Sequence, residues 1–168
     1  MMKRILISLM MALVGVTVSH ASEPVKNYSS MEPTVKVVAY KKSFTDQMVP
    51  IGSGSGTVIN AEGRILTNYH VVFDENEFVP LDGFEVCITF NVQEEPICDY
   101  TAQLIGYDKD LDIALLQLSG EDVYGNSLKS VRFPFLSHRV AQPPKERDSV
   151  TVVGYPGSGG DSITISRK

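Results

Sequence analysis

A histidine and an aspartate are the residues of this chain best placed to do chemistry. His70 lies in Ile65-Leu66-Thr67-Asn68-Tyr69-His70-Val71-Val72, where a strand-like apolar run ends in Thr-Asn and hands over to the imidazole. About 40 residues later, Asp112 opens a second apolar run, Ile113-Ala114-Leu115-Leu116-Gln117-Leu118. An imidazole titrates near neutrality, so it can take a proton from a nucleophile and give it back to a leaving group. A carboxylate beside a buried strand carries a desolvation cost unless a donor satisfies it. A ring N–H is such a donor, and the carboxylate in return fixes the tautomer and stabilises the imidazolium. Histidine first and aspartate second suits the base and orienting acid of a three-part machine whose serine comes later in the chain. An isolated histidine at a strand end is more often a plain surface or core residue; its flanks and its partner raise His70 above that. Asp108 and Asp110 read as solvated turn carboxylates, because neither opens so long an apolar stretch.

The elements that must hold this pair read as β-structure. Val35 to Tyr40, Gly56 to Ile59, Arg64 to Thr67 and Phe84 to Phe90 are short and rich in β-branched or aromatic residues. Tyr100 to Tyr107, Asp112 to Leu118, Ser149 to Tyr155 and Ser162 to Ser166 continue the series. Asn60-Ala61-Glu62-Gly63, Leu81-Asp82-Gly83 and Asp108-Lys109-Asp110 are turn signals between them. Beyond the N-terminal segment no window carries apolar residues at helical spacing. The fold class expected is all-β, a sandwich or a barrel. The pattern breaks from Ser119-Gly120 to about Lys129, and Pro143 to Asp148 reads as a polar surface connection.

The first 21 residues form a signal peptide by pattern. Lys3 and Arg4 make a basic start, Ile5 to Val18 is nearly all apolar, and Ser19-His20-Ala21 offers small residues at a cleavage site. At about 14 residues the apolar run is short of the ~20 that span a bilayer, which favours a cleaved signal over an anchor. Export, to the periplasm or beyond a bacterial cell, is therefore expected, with no stable membrane insertion after cleavage. Of 15 basic side chains, cleavage removes Lys3 and Arg4, while all 20 acidic ones stay. No basic stripe remains, so nucleic acid is not an expected partner. In an oxidising compartment Cys87 and Cys98 can form a disulfide across a hairpin-sized loop, worth roughly 3 kcal/mol; two buried free thiols are the alternative. Cysteines and histidines have no ligand spacing, so neither a metal nor another cofactor is expected.

Several segments together resemble the trypsin-like (chymotrypsin-fold) serine peptidases. They are Gly52-Ser53-Gly54-Ser55-Gly56-Thr57-Val58-Ile59, Gly63 to Val72, Gly106-Tyr107-Asp108 and Leu111 to Leu116. Over these the bacterial HtrA-type branch is nearest, while Val152-Val153-Gly154-Tyr155-Pro156-Gly157 is similar to the glutamyl-endopeptidase branch. The resemblance covers residues 33–168. It implies a chymotrypsin-like double β-barrel with the site in the cleft between barrels, His70 as general base and Asp112 as orienting acid. Polypeptides are the implied substrates. On this reading residues 22–33 are a flexible lead-in, 34–120 the nearly complete N-terminal barrel, 121–148 the inter-barrel connection and 149–168 the first part of a second barrel only begun.

The expected serine is not found among these residues. Pro156-Gly157-Ser158-Gly159-Gly160 echoes the family's Gly-x-Ser-Gly-Gly loop, but Pro156 stands where its first glycine should be. The segment also follows Gly154-Tyr155, which the resemblance places earlier in the second barrel. Ser158 therefore reads as part of a Gly/Ser turn. The chain is expected to be an N-terminal portion of a serine endopeptidase, inactive alone. The alternative is a non-catalytic protein-binding module on the same fold. Gly52 to Gly56 is not a phosphate loop, since a strand follows it and not a helix N-terminus; its glycines suit close packing at a barrel edge. His138 reads as a surface residue.

Overall fold

A computed structural model describes residues 31–74, 76–89, 94–136, 145–156 and 162–167. The signal-peptide expectation, His138 and Ser158 lie outside these residues. Six antiparallel strands close into a barrel in the order β1-β2-β3-β6-β5-β4. They are β1 (Thr34–Lys42), β2 (Met48–Val58), β3 (Arg64–Thr67), β4 (Gly83–Ile88), β5 (Ile97–Asp108) and β6 (Ile113–Asp122). Pairing of β1 with both β2 and β4 closes the ring and removes the free edges of an open sheet. A separate antiparallel pair follows, β7 (Thr151–Gly154) with β8 (Thr164–Arg167). The all-β expectation holds, with one closed barrel and a further strand pair.

Alternation builds the barrel core. Val35, Val37 and Ala39 of β1 point inward with Ile65 of β3, Val86 of β4, Ala102 of β5 and Ala114, Leu116 and Leu118 of β6. These positions recur at every second residue, the period that puts one face of a strand inside. Gly63 turns β2 into β3 at φ 79°, with its N–H donating to Asn60 O and the Arg64 N–H donating to the Asn60 side chain. A left-handed residue at that point suits glycine, which has no Cβ to clash.

Two expectations need revising. β2 begins at Met48, eight residues before the strand start read at Gly56, and takes in the whole Gly-Ser-Gly-Ser-Gly stretch. Glycine disfavours strands by propensity, but here it lets other elements approach the backbone. A Cβ on Gly56 would lie 2.8 Å from Ile65 Cγ2 and 3.1 Å from methyls of Val35 and Val37. The chain just past the polar break, within the expected 121–148 connection, also packs on the barrel. Phe133 is buried in the barrel cluster and meets Tyr100 edge-on at 5.5 Å, while the N–H groups of Phe133 and Leu136 donate to Ala61 O and Val58 O. Phe133 thus packs this segment against the barrel.

The expected bridge is present: Cys87 and Cys98 are disulfide-bonded between β4 and β5. The β7–β8 pair is tied to the barrel through Tyr155, which is buried. Its N–H donates to Ser55 Oγ at 2.8 Å and its hydroxyl hydrogen-bonds Thr89 Oγ1. Among the described residues, no helix is long and apolar enough to cross a membrane.

Candidate active site

His70 sits on a single helical turn, α1 (Tyr69–Val72), inserted after β3. The periodicity did not reveal this turn, because four residues are too few to show a helical repeat. Its apolar side is firmly seated. Val72 is fully buried, and Phe73 just beyond it is stacked on Tyr69 at 4.1 Å and edge-on to Tyr107 of β5 at 4.7 Å. With Val72 and Phe73 turned into the core, His70 is left on the outside of the turn, its side chain 57% exposed.

Asp112 stands immediately before β6, in the tight turn that leaves β5, and not inside the strand. Its N–H donates to Lys109 O, and Asp108 Oδ1 accepts from the Leu111 N–H. Asp112 takes φ 52°, the left-handed region that aspartate tolerates better than most side chains. The pairing of β3 with β6, Thr67 opposite Ala114, brings the end of one strand beside the start of the other. Residues 42 apart in sequence thereby meet.

They meet at two points. His70 Nδ1 lies 2.8 Å from Asp112 Oδ2, and the His70 backbone N–H donates to Asp112 Oδ1 at 3.0 Å. A carboxylate acceptor calls for the proton on Nδ1, which leaves Nε2 as the nitrogen able to accept one. Asn68, missed by the sequence reading, joins them. Its side-chain amide donates to Asp112 O at 3.0 Å and to Asp112 Oδ2 at 3.1 Å. The Asp112 carboxyl is held below its ordinary range, first by the His70 backbone N–H, then by the His70 ring and the Asn68 amide, against the opposing effect of burial. In the sequence Asn68 reads as the end of a strand, and nothing local relates it to Asp112, 44 residues on.

The imidazole borders a cleft of about 260 Å³ walled by Ile51, Gly52 and Ser53 of β2 on one side and Val71, Phe73 and Asn76 on the other. A larger concavity, about 380 Å³, lies around Tyr40, Phe84 and Gln103 and has no imidazole on its walls. Asp108 and Asp110 are exposed, as solvated turn carboxylates should be. An ionised carboxylate locked to an imidazole beside an open cleft can fix the ring's orientation and tautomer and steady the cation that forms on proton uptake.

Comparison with known proteins bears on the family of the chain. The model of the trypsin-like peptidase domain matches residues 54–168, which include His70 and Asp112. The chain belongs to the trypsin-like peptidase domain family. A "Probable periplasmic serine endoprotease DegP-like" from Pseudomonas fluorescens is 31% identical over 111 residues, 66% of this chain and 19% of that protein. A protein of the same description from Rickettsia conorii is 28% identical over 121 residues, 71% of this chain and 19% of that protein. "Serine protease HTRA1" of Xenopus laevis is 26% identical over 121 residues, 72% of this chain and 22% of that protein. The chain thus matches about a fifth of the length of these relatives, all HtrA or DegP-type serine proteases.

Proposed function

We propose that this chain is the N-terminal part of an exported serine endopeptidase in which His70 is the general base and Asp112 its orienting acid. The observation that carries the reading is the 2.8 Å contact between His70 Nδ1 and Asp112 Oδ2 beside an open cleft. Nε2 of His70 takes the proton of a serine hydroxyl as that oxygen attacks a peptide carbonyl, and then passes it to the leaving amine. Asp112 keeps the ring in the required tautomer and stabilises its cationic form. The serine and the backbone donors for the oxyanion belong to a segment outside these 168 residues. Each such donor lowers the barrier by roughly 3 kcal/mol, so the chain alone is inactive. Export is supported by the signal-like residues 1–21 and by the periplasmic description of its relatives.

The test compares the chain with the product of its complete reading frame. Unfolded casein should survive incubation with the former and be cleaved by the latter. A serine-directed sulfonyl fluoride, His70→Ala and Asp112→Asn should each suppress that cleavage, with Asp112→Asn lowering kcat by on the order of 10⁴. A complete product that binds casein and never cuts it would replace the peptidase reading with a binding module.

A further inference from the structure

Asn68 occupies the N-cap position of α1, where an asparagine ordinarily accepts a hydrogen bond from an N–H of the first turn. It makes no such side-chain bond. Its amide is spent elsewhere, across the β3–β6 junction, where Nδ2 reaches both the backbone carbonyl and the carboxylate of Asp112. Those two contacts do different things. The carbonyl contact fixes the backbone of a residue held at positive φ, a conformation that is uncommon outside glycine. The carboxylate contact falls on Oδ2, the same oxygen that faces His70 Nδ1, while Oδ1 accepts the His70 backbone N–H. One carboxylate therefore takes three donors, and it can rotate only by breaking at least one of them.

We propose that Asn68 is a positioning residue, whose side-chain amide sets the backbone and carboxylate of Asp112 and so determines which nitrogen of His70 carries the proton. The proposal rests on the His70–Asp112 reading of the site. Asn68 acts through Asp112 and touches neither substrate nor reacting atom. Because its side chain is exposed, substitution leaves the barrel core intact. Serine in its place is informative: it caps helices about as well as asparagine but is too short to span to Asp112. Aspartate keeps the shape, lacks the N–H donors and sets a second negative charge against Asp112.

The test is the ring ¹⁵N spectrum of His70 in the ¹⁵N-labelled full chain at pH about 8.5, where imidazole is neutral. His70→Ala assigns the signals. The parent protein should show the Nδ1–H tautomer. Asn68→Ala, Asn68→Ser and Asn68→Asp should each lower the ratio of Nδ1–H to Nε2–H by roughly threefold or more, the weight of one ordinary hydrogen bond. Thermal melting of the serine variant should stay close to the parent, which separates positioning from folding. An unchanged tautomer ratio in the serine or aspartate variant overturns the role of Asn68. An Nε2–H tautomer already dominant in the parent would instead refute the His70–Asp112 reading itself.

Discussion

Gly54 of β2 lies directly against Val71, the residue after His70 on α1. A Cβ at Gly54 would come within 2.5 Å of Val71 Cγ2 and 3.1 Å of Cγ1. Valine is stiff at χ1, and both its methyls are close, so rotating the side chain does not clear the space. The absence of a side chain at Gly54 is what allows the histidine-bearing turn to sit down on the barrel.

Gly54→Ala should therefore lift α1 and cost about 1–3 kcal/mol, as overpacking does. Gly52→Ala, two residues earlier on the same strand, meets nothing within 4 Å and should be neutral or slightly stabilising. Urea unfolding of the two variants checks this, and equal effects would mean that the contact with Val71 is unimportant.

The aromatic seat beneath α1 gives a second expectation. Phe73 is buried between Tyr69 and Tyr107. Its truncation to alanine should cost about 3–5 kcal/mol, the usual penalty for emptying a phenylalanine site. The same variant should broaden the His70 ring signals, since the turn loses its inner support. Denaturant midpoints and NMR line widths report the two effects separately.

Reducing the disulfide should act at a distance from the site. Cys87 and Cys98 join β4 to β5, whereas His70 and Asp112 gather around the β3–β6 junction. Opening this short loop should lower stability by about 3 kcal/mol through the unfolded chain. The His70 tautomer should be unaffected while the protein stays folded. Calorimetry with and without reductant, followed by the ring spectrum, tests both halves.

Acid should weaken the fold in a defined window. Asp74 accepts from Lys41 Nζ at 2.8 Å and from the N–H groups of Asn76 and Glu77. Its carboxyl is drawn from 3.8 down to about 2, first by the Lys41 hydrogen bond and then by those backbone donors. A depressed carboxyl stabilises the folded state fully above its unfolded value, and that stability is lost as pH falls through the folded one. Asp112 and Asp122 are shifted in the same direction, the latter chiefly by Asn126. Melting temperature should thus fall as pH drops from roughly 4 toward 2. Asp74→Asn should flatten part of that slope. An unchanged slope would show that the Lys41 contact is not made in solution.

The primary sequence determined the class of fold and singled out the pair that the fold brings together. Period-two burial in β3 and β6 is written in their alternation, and alternation depends on side-chain type alone. His70 and Asp112 stood out because each adjoins an apolar run where a polar side chain needs a reason. Other features stayed hidden because they depend on neighbours distant in the chain. The glycines of β2 read as suited to close packing, but that Val71, Ile65 and Val35 are what packs against them is set by the closed barrel. Phe133 lies past the last barrel strand and the polar break, and its burial comes from the barrel residues it packs against. Asn68 reads only as the end of a strand until the β3–β6 register sets Asp112 beside it. Closure of the sheet decided these contacts, because a ring of strands brings together groups that no local spacing relates.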